Sequence, residues 1–372
     1  MKSNRIVIIA SHSLSLTNFR GHLLKKLSKN NKVIALAPDK DNDIENKLEK
    51  IGVHFKEYIL IRTGMNPFMD LISFINLMIL LKKIKPNYVI SYTVKPIIYG
   101  SLAAKLAGVK NIYSIITGLG YSFYSKTKKQ ILIGSLVKKM YRLSLAYNNT
   151  IFFQNNDDLN HFISKKIINK KNKAVKTNGS GVDLDYYYKT KPQNNNLKFL
   201  IIARLLKEKG IINFLEAAQK LKKIYPKTSY DIIGWEDKGP SAVDVKQIIK
   251  LQKDKIINYH GYQVDVRKFI EECSVFVLPS YREGTPRTTL EAMSMCKPVV
   301  TCDSPGCRET VINDFNGFMI PINNSNRLTS AMEKFILNPK IIVDMGKNSR
   351  ILAEEKFDVH KVNEAIIKEL DL

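Results

Sequence analysis

The chain has 372 residues, 44% of them hydrophobic, which is enough for two globular domains with sizeable cores. Its formal net charge is +25 and unevenly spread: residues 1–190 hold 31 Lys and Arg against 11 Asp and Glu, the remainder 28 against 23. The four cysteines (Cys273, Cys296, Cys302, Cys307) form no CxxC pair and have no histidine at zinc-ligand spacing, so buried thiols in a reducing cytosol are expected rather than disulfides or a metal site. In chain order, Arg5–Ala10 predicts a first buried strand rather than a signal peptide. A helix around Asn18–Ser28, a strand at Val33–Ala37, a helix at Asp41–Ile51 and a strand at Val53–Tyr58 follow. Met65–Ile84 predicts a broadly apolar helix, interrupted by Asp70 and Asn76 and so too polar for a membrane span. Tyr88–Ser91 is a strand, Tyr99–Ala107 a helix, Asn111–Ile116 a strand, and Lys128–Ala146 a long basic helix. A strand at Thr150–Gln154, a helix at Asp157–Ser164 and a strand at Ala174–Thr177 complete the first half.

The polar stretch Lys189–Asn196 is the best linker candidate. After it the alternation restarts: strand Lys198–Ala203, helix Ile211–Lys223, strand Ser229–Gly234, helix Asp244–Lys253, strand Ile257–His260 and helix Val266–Glu272. A strand–turn–helix–strand unit follows over Val275–Thr301, then a strand at Gly317–Ile320, a helix at Asn326–Leu337 and helices from Pro339 to the end. Alternating strands and helices predict two parallel, doubly wound, Rossmann-like sheets. Residues 1–190 form the first domain, 197–354 the second, and 355–372 a helix returning to the first.

Two motifs carry chemistry. In the first, Arg204 and Lys209 follow the strand ending at Ala203. Two cations at the carboxyl end of a parallel strand, close to helix N-termini, suit a diphosphate. In the second, Glu283 lies in the turn after an apolar strand and Glu291 about a turn into the next helix, with Gly284, Thr285 and Pro286 between. Ligands bind at this edge of open α/β sheets, and helix N-terminal N–H groups favour anions. Two carboxylates beside such a site could hold sugar and ribose hydroxyls.

These motifs, with Gly179–Asp183, Lys297-Pro-Val-Val300, Pro305–Glu309 and Asn316-Gly317, resemble family 4 of the retaining glycosyltransferases, which have the GT-B fold. The first half matches in Asn18-Phe-Arg20, Thr93-Val-Lys-Pro96, Ile116-Thr-Gly-Leu-Gly120 and Phe153–Asp157. The combination is similar to the branch that builds capsule, O-antigen and N-glycan precursors on undecaprenyl diphosphate, including N-acetylgalactosaminyltransferases. The resemblance implies two domains facing across a cleft. It implies that Arg204 and Lys209 bind the donor diphosphate, that Glu283 holds the transferred sugar, and that Glu291 holds the ribose. Backbone N–H groups near Gly284–Arg287 would contact sugar or phosphate, and Tyr262, in Gly261-Tyr-Gln263, the base. Thr117, Gly118, Asn18, Arg20 and Lys95 would face sugar and acceptor; many relatives have a histidine at or beside Thr117, and this chain has none there.

The implied reaction moves a sugar, an N-acetylhexosamine such as GalNAc or GlcNAc or else a hexose, from a UDP-sugar to an undecaprenyl-diphosphate-linked glycan, with retention and without cofactor. No metal is expected, since the Asp-x-Asp triplets within Asp39–Asp43 and Asp183–Asp185 do not follow strands in the required way. Asp39–Asp43 reads as a helix N-cap. The alternatives are a GT-B enzyme using a GDP- or dTDP-sugar, an NDP-sugar epimerase, and a basic nucleic-acid-binding protein. The last would call for aromatic-rich grooves, and Tyr186–Tyr188 is the one aromatic run. No nucleic-acid partner is therefore expected. The basic first half, a Lys- and Asn-rich surface in any reading, suits an anionic inner-membrane surface, with the protein peripheral on its cytoplasmic face.

Overall fold

The computed structural model describes the whole chain except residues 1–2, 63, 65, 120–127, 170, 194–195 and 238 and the side chains of 128–130. Gly120, Met65, Asn194, Asn195 and the lysine side chains at 126, 128 and 129 thus lie outside the described residues. The chain divides into two compact units: Met1–Ser180 with Val362–Leu372, and Gly181–Lys361.

Unit one is built on seven parallel strands: β1 (Arg5–Ile9), β2 (Lys32–Ala37), β3 (Val53–Glu57), β4 (Tyr88–Tyr92), β5 (Asn111–Ile116), β6 (Thr150–Phe153) and β7 (Lys173–Lys176). Their order is β3-β2-β1-β4-β5-β6-β7. Ile6 of β1 faces Val33 on one side and Tyr88 on the other. Covered on both faces, the inner strands are apolar almost throughout, as parallel sheets require. Helices α1 (Leu14–Ser28), α2 (Asn42–Glu49), α3 (Pro67–Ile84), α4 (Val94–Leu106), α5 (Lys128–Leu145) and α6 (Asn156–Ser164) make the crossovers. One core lies under α3, α4 and α5, through Leu77, Ile97 and Tyr141. The other lies under α1 and takes Val362, Ile366 and Leu370 from the last helix.

Unit two has six parallel strands: β8 (Lys198–Ile202), β9 (Ser229–Ile233), β10 (Asn258–Tyr259), β11 (Val275–Leu278), β12 (Val299–Cys302) and β13 (Gly317–Ile320). Their order, β10-β9-β8-β11-β12-β13, repeats that of the first sheet. Its helices are α7 (Ile211–Ile224), α8 (Val245–Lys253), α9 (Arg267–Glu272), α10 (Arg287–Ser294), α11 (Ser325–Leu337), α12 (Lys340–Leu352) and the start of α13 (Val359–Glu369). In each sheet the order reverses once, between β1 and β4 and between β8 and β11. Adjacent crossovers leave in opposite directions there and open a crevice at the carboxyl ends.

Local sequence explains most boundaries. Asp41 caps α2, its carboxylate accepting from the N–H groups of Asp43 and Ile44. Asn66 caps α3, with Pro67 at the first helical position. Helix α1 begins at Leu14, ahead of the expected Asn18, because Leu16 is fully buried and its N–H reaches Ser13 O at 2.9 Å. Helix α4 starts at Val94, five residues before expectation: Pro96 sits in its first turn, where no N–H is needed. The division between units falls at Ser180–Gly181, ahead of the polar stretch 189–196. Val182 bridges Asp358, and a Cβ on Gly181 would meet Val359 Cα at 2.5 Å.

Candidate functional site

The crevice of unit two opens between β8 and β11. Past β8, the Arg204 guanidinium lies 3.1 Å from the Asp237 carboxylate, in the loop after β9. A 3-10 turn, Lys207–Lys209, then ends at Gly210 with φ +73. A β-carbon on Gly210 would stand 2.2 Å from Pro279 O, so this turn abuts the end of β11. Only glycine combines that approach with that backbone. The result is that Lys209 Nζ donates to the Glu283 carboxylate, with both side chains less than one-fifth exposed.

The loop after β11 is held by backbone and by small side chains. Tyr281 N–H donates to Glu208 O at 2.8 Å and Glu283 N–H to Pro305 O at 2.9 Å. Gly306, at φ +78, packs so closely that a β-carbon would stand 2.3 Å from Glu283 O. Beneath, the Ser304 hydroxyl donates to Ser280 O at 2.8 Å, and the buried Cys307 thiol lies 3.6 Å from the same oxygen. Burial pushes the Cys307 thiol up to about 12. Gly284, Thr285 and Pro286 lead into α10, whose first N–H groups point back to the crevice. Glu291, about one turn in, is 6% exposed. Arg287 Nε donates to it at 2.9 Å, and the Tyr187 hydroxyl lies near enough to favour its charged form. Burial raises the Glu291 carboxyl above its ordinary range, with Arg287 and Tyr187 opposing.

Tyr262 stands beside Trp235, ring centroids 5.5 Å apart and edge to face, each about half exposed. The two loops are joined where Gly234 N–H donates to Gly261 O at 2.9 Å. Arg204, Lys209, Glu283, Gly284–Pro286 and Glu291 thus share one strand edge, with Tyr262 in the loop after β10.

The remaining expected residues belong to unit one. Arg20 is buried on α1, its guanidinium 5.3 Å from the centre of the Tyr92 ring, while Asn18 is exposed on the same helix. Thr117 and Gly118, the latter at φ +122, follow β5 and are partly exposed. Lys95 Nζ donates to Asp70 Oδ1 on α3 and to Ile61 O, both at 2.8 Å. That ion pair, with side chains 15% and 13% exposed, fixes α3 to α4. Among the described residues no group of three or more His, Cys, Asp and Glu could hold a metal ion.

Residues 188–352 match the family described as glycosyl transferases group 1, and residues 5–155 the family described as glycosyl transferase 4-like. The chain belongs to these glycosyltransferase families. A relative is the Campylobacter jejuni N,N'-diacetylbacillosaminyl-diphospho-undecaprenol alpha-1,3-N-acetylgalactosaminyltransferase, 26% identical over 93% of each chain. Another is the Escherichia coli UDP-Gal:alpha-D-GlcNAc-diphosphoundecaprenol alpha-1,3-galactosyltransferase, 29% identical over 78% of this chain and 77% of that one. The fold is shared with Anabaena HepE, solved with UDP and glucose, at TM-score 0.76 and 16% identity over 99% of both chains.

Three partners in this glycosyltransferase escaped the sequence. Asp237, which meets Arg204, sits in a loop whose register only the β9 end fixes. Arg287 stands four residues before Glu291, and that spacing, which puts both on one side of a helix, was the signal that could have found it. Tyr187 belongs to the aromatic run 186–188 and is buried against the unit-two core.

Proposed function

We propose that this glycosyltransferase moves a sugar, an N-acetylhexosamine in the first instance, from a UDP-sugar to an undecaprenyl-diphosphate-linked glycan, with retention and without a metal. The observation that carries the reading is the meeting of Lys209 with Glu283 at the crevice of unit two, with Arg204 alongside. A donor diphosphate would draw Arg204 and Lys209 to its oxygens, releasing the Glu283 carboxylate to accept hydrogen bonds from sugar hydroxyls. N–H groups at the start of α10 would serve the distal phosphate. Glu291, set by Arg287 and Tyr187, would accept from ribose hydroxyls, and the exposed Trp235–Tyr262 pair offers a flat surface for the base.

In the transfer, the bond from the anomeric carbon to the β-phosphate oxygen breaks while the acceptor oxygen bonds to the same face. The departing phosphate takes the acceptor's proton, so no side chain need act as base. Negative charge grows on the diphosphate, where the two cations are worth most. The undecaprenyl-linked acceptors in the names of the relatives support the acceptor class, and the UDP in the solved structure of the same fold supports the donor.

The reading also includes a peripheral site of work, at the cytoplasmic face of the inner membrane. Among the described residues no helix is long and apolar enough to cross a membrane. Helices α3 and α5 both pack on α4 and turn apolar side chains outward: Phe68, Leu71, Ile75 and Ile79 from α3, Leu132 and Leu136 from α5. Lysines 82, 83, 138 and 139 accompany them, a combination suited to an anionic bilayer.

The test is transfer from a panel of UDP-sugars to undecaprenyl-diphosphate-linked N-acetylhexosamines, with the product anomer read by NMR and chelator present. Turnover of UDP-sugars with retention, lost in Arg204→Ala and Lys209→Ala, is expected. Turnover restricted to GDP- or dTDP-sugars, an inverted product, or full activity in both variants would overturn the reading.

A further inference from the structure

The loop after β9 is strapped to the stretch that carries Arg204. Ala203 N–H donates to Ile233 O at 3.0 Å, Leu205 N–H to Trp235 O at 3.1 Å, Lys207 N–H to Ser241 O at 2.9 Å and Val243 N–H to Leu205 O at 2.9 Å. Leu206 and Ala242 add an antiparallel bridge. Gly234 permits the approach, since a β-carbon there would stand 1.8 Å from Ala203 O. Both ends of the loop are therefore fixed to the residues on either side of Arg204, and its middle lies against that side chain.

Asp237 occupies this middle. Its Oδ1 accepts from Gly239 N–H at 2.8 Å, closing a local turn, and its Oδ2 faces Arg204 Nη1 at 3.1 Å. The short carboxylate, 23% exposed, is held by backbone; the arginine, 44% exposed, reaches it on a long stem. Among the described residues the Arg204 guanidinium has no second hydrogen-bond or ion-pair partner. A guanidinium carries five N–H donors in one rigid plane. One is spent on Asp237, and that bond sets the direction of the rest.

A carboxylate here has two opposed effects on a bound diphosphate. It repels the phosphates, and it orders the cation that binds them. The repulsion acts across the width of the guanidinium, at a site wet enough for screening. An arginine left loose, in contrast, must be ordered when the ligand arrives, and that cost is taken from affinity. The pair itself, near the surface, adds little to stability.

We propose that Asp237 is a positioning residue for the donor diphosphate: it holds one edge of the Arg204 guanidinium so that the remaining N–H groups meet the phosphate oxygens without rearrangement. The proposal rests on the reading that Arg204 and Lys209 take a nucleoside diphosphate. It separates the two cations. Lys209 exchanges Glu283 for phosphate, whereas Arg204 keeps Asp237 while it binds.

The test compares UDP affinity by calorimetry and uridine affinity by ligand-observed NMR on the full chain. The proteins are wild type, Asp237→Ala, Asp237→Asn, Arg204→Ala and the double alanine variant. UDP affinity should fall roughly five- to tenfold in Asp237→Ala, the cost of ordering one long side chain, and less in Asp237→Asn, whose amide oxygen can still accept from Arg204. Uridine, which has no phosphate, should bind both within twofold of wild type. With Arg204 already replaced by alanine, Asp237→Ala should change UDP affinity less than twofold, because no guanidinium is left to aim. Unchanged or tighter UDP binding in Asp237→Ala overturns the proposal by making the carboxylate a bystander or a competitor. Uridine affinity falling in step with UDP also overturns it, since the loop would then only support the nucleoside. So does an undiminished loss in the Arg204→Ala background. Failure of the donor reading looks different: the wild type then binds no nucleoside diphosphate at all.

Discussion

Lys209 and Glu283 come from loops after two neighbouring strands, β8 and β11, and neutralise one another. Their sequence separation of 74 residues is closed by the glycine turn at 210 lying against Pro279. Under the proposed reading, each occupies the place that a donor group would take.

Removing them should have unlike effects. Lys209→Ala is expected to weaken UDP binding and to lower kcat/KM by about a hundredfold or more, as loss of a charged group at a developing anion does. Glu283→Gln is expected to lower turnover similarly yet leave UDP binding unchanged or tighter, since Lys209 no longer has a competing carboxylate. Calorimetry with UDP on both variants decides it; equal loss of UDP affinity in the two would refute the exchange of partners.

Glu291 makes a prediction about pH. Its folded carboxyl is raised by burial, so the folded state binds its proton more tightly than the unfolded state does. The stability it contributes is present below the ordinary carboxylate range and is lost as pH rises through the raised value. Glu291→Gln removes the titration, so its stability should fall less than that of wild type as pH rises from the ordinary carboxylate range. Thermal melts over that rise in pH check it, and parallel curves would contradict it. UDP affinity should drop roughly tenfold in the same variant, the loss of a ribose contact.

Gly306→Ala tests the loop support. A left-handed residue and a contact against Glu283 O together should cost of order 2–4 kcal/mol in urea unfolding. Turnover should drop further, because the displaced backbone is that of Glu283. Gly21→Ala, in mid-α1 with nothing within 4 Å of a β-carbon, is the control and should be neutral or stabilising by about 0.5–1 kcal/mol. Equal behaviour of the two variants would remove Gly306 from the argument.

For the membrane reading, the protein should co-sediment with anionic vesicles at low salt and be released as salt rises, because surface attraction is screened. Replacing Ile75 and Ile79, 40% and 57% exposed, by Asn should weaken binding about tenfold or more while leaving UDP affinity intact. An unaltered partition coefficient, or no binding of the wild type, rules out α3 as the docking face.

Much of this architecture is legible in the sequence because parallel strands buried on both faces are short apolar runs between helical repeats. Asn111–Ile116 and Gly317–Ile320 are found at their predicted bounds. Helix starts are harder. The helix expected from Tyr99 begins at Val94, since a first turn tolerates Pro96. The charged residues at strand ends were visible, since an apolar run stopping at Arg204 or before Glu283 marks the edge of a sheet. Their partners were not. Asp237 meets Arg204 only because strands far apart in sequence lie side by side, and nothing local encodes that pairing. Asp39 suggested a helix cap, a task that falls to Asp41.

The Cys307 thiol under the Glu283 loop has a use of its own. Fully enclosed, with its proton held against Ser280 O, it can meet an alkylating reagent only when that loop lifts away. Its labelling rate is therefore an internal clock for excursions of the loop, readable by mass spectrometry without any substitution, and a ligand seated on the loop would slow it.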